Sequence, residues 1–464
     1  MENTQKNEDL ATGSIGKLFI KLSIPAVLAQ VINLLYNIID RMYIGHIEDV
    51  GSMALTGVGV TLPIIMIISA FSCLCGMGGA PKAAIAMGEN DLKKANKILG
   101  NCVSLTIILS IILTIIILVF NRPLLFMFGA SSNTINYAVD YIRIYAIGTV
   151  FVMISLGLNM FITTQGFSKV SMINVVVGAI LNIILDPIFI YLLKMGVQGA
   201  ALATIISQAV SSFLVIRFLL SKKSILKITL NDLRINGKIL FSCIALGISP
   251  FIMQSTESIL SVCFNTSLYK YEGDIAVGAM TILTSLMQFA MLPLQGFTQG
   301  AQPIISYNYG AKNPERCKKA FKYLLITCLV YSMVFYLLIM LFPSMFVQIF
   351  TDEQALIKYA VWALRIYMAV IGIFGIQIAC QQTFIALGNA KISLFLAVLR
   401  KIILLIPLIY IVPLFTPNNK CLGVFLAEPI ADIIAVITTA TCFIIVFKKT
   451  MNNISIPDTK PTLE

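Results

Sequence analysis

Three stretches of this chain place polar side chains at helical spacing inside apolar sequence. Asn33, Tyr36, Asn37 and Asp40 stand at i, i+3, i+4 and i+7, which is one face of a helix. Asn174, Gly178, Asn182 and Asp186 recur every fourth residue, and Thr204, Gln208 and Ser211 follow the same face. In an apolar bundle, two carboxylates cannot both stay ionised without a cation: one takes a proton, or the pair Asp40 and Asp186 holds Na⁺. At a helical rise of about 1.5 Å, Asp40 lies about 7 Å inside Gly45, and Asp186 lies about 12 Å inside Lys194. Thr204 lies about 12 Å past Gly196, so all three fit one layer. The plainer readings are a cap or an Arg41 partner for Asp40, and helix–helix glue for Asn182 and Thr204.

Other chemistries lack their residues. There is one histidine, His46, so a His-based metal site or triad is not expected, and no phosphate-binding glycine loop occurs. Ten cysteines are scattered, and only Cys73 and Cys75 lie close, which suits small packing residues better than a disulfide framework. Neither an enzyme nor a cofactor is implied.

The composition decides what holds these residues. Hydrophobic residues make up 58% against 12% charged, and mean hydropathy is +0.92, too little charge to wet a soluble surface. Long apolar runs imply an all-α integral membrane protein, since a barrel would show short alternating segments. Twelve spans are expected near 18–41, 50–74, 98–120, 134–162, 170–193, 197–220, 240–268, 275–300, 321–342, 355–380, 391–414 and 421–447. With the N-terminus inside, the inner loops hold 22 Lys and Arg and the outer loops six. That bias puts both termini in the cytoplasm. The basic residues are spread over membrane-adjacent loops, which argues against nucleic acid as a partner. The polar opening segment does not read as a cleavable signal.

The chain also repeats itself. Residues 137–145 read YAVDYIRIY and residues 359–367 read YAVWALRIY, 222 residues on. The same offset links Gly78 to Gly300, Gly88 to Gly310, Gly166 to Gly388, Lys169 to Lys391 and Ser171 to Ser393. Two six-helix bundles are expected: 1–220, then a cytoplasmic linker at 221–238, then 239–450, with a tail at 451–464. An even span count per copy relates them by an axis along the membrane normal, the plan of a transporter. Gly88 and Gly310 are expected to permit tight turns before the next helix.

The runs NLLYNIIDRMYIG (33–45), LNIILDPIFIY (181–191) and QGAQPIISYNYGAKN (299–313) carry a family resemblance. Together they resemble the MATE (multidrug and toxic compound extrusion) transporters, in their bacterial multidrug branch, over roughly residues 14–450. A monomer of the bacterial cytoplasmic membrane is expected. By the resemblance it would export amphipathic, mostly cationic drugs and toxins in exchange for H⁺ or Na⁺. The family's N-terminal cation site maps onto Tyr36, Asp40, Asn159, Asn182, Asp186 and Thr204. Asn159 fits least, because counting along its span places it nearer the cytoplasmic side. In the second copy, Glu257, Gln377, Arg400, Glu428 and Asp432 are candidates for a substrate cavity. Glu257 and Asp432 each lie about 18 Å inside an outer end, near the midplane. The competing reading is that the acids neutralise Arg400 or Lys401. Those two cations also keep open a related function, the flipping of lipid-linked saccharides or lipids.

Overall fold

The computed structural model describes residues 9–48 and 50–455, and these contain helices and no strands. Ten helices are long and apolar enough to cross a membrane, and two bent pairs bring the number to twelve if each pair is one span. The first copy supplies Ile15–Gly45, Gly51–Gly88, Leu92–Met127, the pair Ile135–Ile147 and Thr149–Thr164, Ser168–Leu192 and Gly196–Leu220. The second supplies Gly237–Glu272, Asp274–Gly310, Pro314–Leu341, the pair Gln354–Tyr367 and Ile371–Ala386, Ala390–Leu414 and Lys420–Ile454. They are numbered below as the first to twelfth spans.

The fifth span shows why these sequences fold as they do. Asn174, Gly178, Asn182 and Asp186 are buried, while Ile173, Ile180 and Ile184 are exposed on the other side. A 3.6-residue period turns the polar stripe inward and leaves isoleucine for the hydrocarbon. The turn into the sixth span is made by Lys194 (φ 54°) and Gly196 (φ 56°). The two helices then pack tightly: a Cβ on Gly178 would overlap the Ser211 hydroxyl, which itself donates to the Asn174 carbonyl at 3.0 Å. Glycine is required there for close approach, not for backbone freedom.

Several helices run past their apolar cores. The second span's helix continues to Gly88 and the eighth's to Gly310. Their closing segments are rich in small residues and proline, so hydropathy alone ends them near 74 and 300. Gly88 and Gly310 do not make the following turns either. The positive φ falls on Asn90 (59°) and Lys312 (53°).

The chain resolves into two compact units. One holds Lys21–Ala83 and Leu92–Ser258; the other holds residues 9–20, Ala84–Asp91 and the chain from 259 on. The segment 221–236 is a strap fastened to the first unit. The Gln165 carboxamide oxygen accepts from Ser224 Oγ (3.0 Å), the Ile225 amide (2.7 Å) and the Leu226 amide (3.0 Å). Asn101 accepts from the Asn236 amide at 2.7 Å, and Ser104 donates to the Leu233 carbonyl at 2.7 Å. Leu226 is wholly buried beneath it. The start of the seventh span continues this attachment, with Leu240, Ile244, Ile248 and Phe251 packed on Leu74, Cys75 and Leu105.

Candidate functional site

Within the first unit, four spans contribute to one narrow polar cavity. Its walls include Asn33 and Tyr36, Ser155 and Asn159, Asn174 and Asn182, and Thr204 and Gln208. It offers a water-sized occupant about 20 Å³, room for one water or one bare cation and not for a drug. Asp186 is fully buried beside it and Asp40 is nearly so. The two carboxyls are close enough to interact directly. Asn182 Nδ2 donates to Asp186 Oδ1 at 3.0 Å. That leaves Asp40 Oδ1, Asp186 Oδ2 and Asn182 Oδ1 buried with no hydrogen-bond partner. Three unpaired acceptor oxygens in an apolar bundle are costly unless a proton or cation satisfies them. All are hard oxygen donors, the set that suits H⁺, Na⁺ or another hard cation.

Tyr36 reaches Asn37 and Gln208, and Tyr141 reaches Thr204. Thr204 Oγ1 also donates to the Ala200 carbonyl at 3.1 Å. Thr204 is therefore both a cavity wall and locally bonded. Asn159 belongs to the same cavity but not to the carboxylate end. Its Nδ2 donates to the Ser171 carbonyl at 3.2 Å and its Oδ1 accepts from Asn174 at 3.3 Å. Asn174 is twelve residues, about 18 Å, from Asp186 along the fifth span. Asn159 thus stands far from the carboxylates, on the side that counting along the fourth span expects, and the fourth span itself is broken. Its two helices bend by 62° and a π-helical turn, Ile154–Leu158, precedes Asn159.

Two wall residues escape the sequence reading, Ser155 and Ser207, and so does Tyr141, which borders Thr204. Ser155 pairs with Gln208 across the cavity, and its four-residue spacing from Asn159 was the available signal. Ser207 stands three residues after Thr204 and four before Ser211, with its hydroxyl unpaired. Tyr141 lies inside the repeated motif, at a position where the two copies differ.

The second-copy candidates are arranged differently. Arg400 Nε donates to Asp432 Oδ1 at 2.7 Å and Arg400 Nη2 to Glu428 Oε1 at 2.9 Å. All three are buried, and the guanidinium lies 4.5 Å from the centre of the Phe374 ring. Both acids are engaged by the arginine. Gln377 is buried and donates to Gln381 at 3.4 Å. Glu257 is exposed on the seventh span and belongs to the first compact unit. Among the described residues, no group of three or more His, Cys, Asp or Glu could hold a metal ion.

Comparison with known proteins agrees with this architecture. Multidrug export protein MepA of Staphylococcus haemolyticus is 26% identical over 422 residues, covering 91% of this chain and 92% of that protein. A solved MATE structure in a bent conformation superposes with a TM-score of 0.89 at 24% identity, covering 97% of this chain and 99% of the other. An outward-facing multidrug resistance MATE transporter of the MOP superfamily gives 0.88 at 25% identity, covering 95% and 98%. The profile of the MatE family matches twice, at residues 25–188 and 250–411, once in each copy. A double match over most of a duplicated chain makes this protein a member of the MatE family.

Proposed function

We propose that the protein is a secondary antiporter that exports amphipathic, mostly cationic compounds in exchange for H⁺ or Na⁺. Export of drugs is supported by the likeness to MepA multidrug export proteins over nine-tenths of the chain. The observation that carries the coupling reading is the trio of unpaired buried oxygens on Asp40, Asp186 and Asn182 beside a cavity of cation size. The incoming cation is a substrate of this site. It neutralises the carboxylate pair, and its release restores the repulsion between them. A carboxylate pair that alternates between these conditions biases any conformational equilibrium whose states differ in affinity for the cation. Glu257 supports a cationic drug as the other substrate. An exposed carboxylate within a membrane helix needs a water-filled path rather than lipid. Flipping of a lipid-linked saccharide has less support, because Arg400 is already bonded to two carboxylates.

The test is dye efflux from reconstituted vesicles under separately imposed Na⁺ and pH gradients. Asp186→Asn is expected to abolish gradient-driven efflux of a cationic dye with the protein still folded. Asp40→Asn is expected to reduce efflux at least about tenfold, about 1.4 kcal/mol of lost coupling. Normal pumping by both single variants would remove this site from the coupling step.

A further inference from the structure

We propose that the second unit carries a binding site for one anionic phospholipid, in the hollow between the turn that joins the tenth and eleventh spans and the end of the twelfth. The hollow offers about 370 Å³, and its walls include Tyr309, Phe384, Leu387, Asn389, Lys391 and Thr450, all within the second unit. That is many times the cavity beside Asp186, and it falls within the range of organic-ligand pockets, about 300–1,000 Å³.

The walls are of two kinds. Phe384 and Leu387 are buried and make an apolar floor. Phe384 is backed by Phe443, with 5.2 Å between ring centres, and Phe443 by Phe447 at 4.6 Å. Around this floor stand the Tyr309 and Thr450 hydroxyls, the Asn389 amide and the exposed Lys391 ammonium. Lys448 and Lys449, also exposed, flank the face of the twelfth helix that carries Thr450. No Asp or Glu occurs from 354 to 427 or from 433 to 455. Glu89 acts on Tyr309 and offsets at most one of the three lysines. The hollow also stands where the chain leaves the hydrocarbon. Ile444 and Ile445 are exposed, Lys448 and Lys449 follow them, and Lys391 opens the eleventh span. Lysines at the end of an apolar stretch mark the level of the lipid headgroups. A lipid phosphate at that level meets Lys391, and the first carbons of its chain lie on Phe384 and Leu387. A free anion would make no use of the floor.

The first copy builds the same turn and closes it. Gly166 (φ 84°) stands 222 residues before Gly388 (φ 71°), as Lys169 does before Lys391 and Gln165 before Leu387. There the strap covers the turn: the Ile225 and Leu226 amides bond Gln165, and Leu226 is wholly buried. In the second copy Leu387 offers no hydrogen bond, and the twelfth helix runs on to Ser455 instead of folding back. Among the described residues the hollow stays open. An open hollow is therefore a property of this copy and not of the fold.

The experiment uses the full-length protein in phosphatidylcholine vesicles. Tyr309→Trp is combined with Trp362→Phe, which moves the chain's single tryptophan to the rim. The probe is phosphatidylglycerol with brominated chains at a small mole fraction, and brominated phosphatidylcholine is the reference. Quenching at least about fivefold stronger by the anionic lipid is expected, the pull of one lysine near an anionic surface. Lys391→Gln is expected to remove the preference, and Lys169→Gln, at the strapped turn, to leave it. Equal quenching by the two lipids, or a preference that survives Lys391→Gln, overturns the proposal. So does a preference abolished by millimolar inorganic phosphate but not by chloride of equal ionic strength, which marks a site for a free anion. A preference that appears only after deletion of 456–464 makes the chain's own end the occupant and overturns it too. In a second arm, wild type and Lys391→Gln in detergent are compared by native mass spectrometry with added phosphatidylglycerol. The wild type is expected to retain one lipid more, and equal retention overturns the site. This arm changes only an exposed side chain, so it decides the matter if the tryptophan variant fails to fold.

Discussion

Asp186 and Leu408 occupy equivalent places in the two copies of this chain, and so do Asn182 and Leu404, Asn174 and Leu396, and Tyr141 and Ala363. Each pair sets a polar residue of the first cavity against an apolar residue of the second copy. By contrast, the hydrogen bond from Asn159 to the Ser171 carbonyl has a direct counterpart from Gln381 to the Ser393 carbonyl at 3.0 Å. On the coupling reading proposed above, the departures mark where only one copy has work to do. The second copy keeps its own buried charge at Arg400, in the place of Gly178. Removing that arginine leaves two carboxylates without their cation, a loss of about 3–5 kcal/mol for a buried ionic network. Arg400→Met is expected to lower the melting temperature in detergent sharply, and adding Glu428→Gln and Asp432→Asn to recover most of it. No change on Arg400→Met would mean that the acids find another partner.

The fifth span's stripe was legible because one period and one direction govern a straight helix. On the fourth span a 62° bend and a π-helical turn interrupt that period, although the count still puts Asn159 away from the carboxylates. The overrun of the second and eighth helices had a different cause. Glycine, alanine and proline read as weak helix formers, yet fully buried neighbours such as Ala84 and Ala86 hold the last turns in place. The strap was legible as a linker by composition, and its fastening was not, since nothing local marks Gln165 as the residue that receives it. Gln165→Ala leaves the Ile225 and Leu226 amides without their acceptor, at about 1–3 kcal/mol for buried groups. Faster protease cleavage within 221–236 is expected, while Gln165→Glu, which keeps an acceptor, stays close to wild type. Equal resistance of all three proteins would mean that the strap's other bonds, to Asn96, Asn101 and Ser104, hold it without Gln165.

Across the whole molecule, the charge count predicts that the strap lies in the cytoplasm with both termini. A cysteine at Lys227 is expected to react with a membrane-impermeant thiol reagent only in inverted vesicles. Labelling in intact cells would reverse the orientation of every span. The doubled sequence also implies an ancestor of a single unit, and the strap shows how far the descendants have diverged from it. A free-standing copy that stopped at the end of the sixth span would leave the Gln165 oxygen and the hollow under Leu226 with no occupant. The later copy has Leu387 where the earlier has Gln165, and it makes no such demand. The first copy has come to depend on the strap that follows its sixth span, so a cut before residue 221 would not give back a self-sufficient unit.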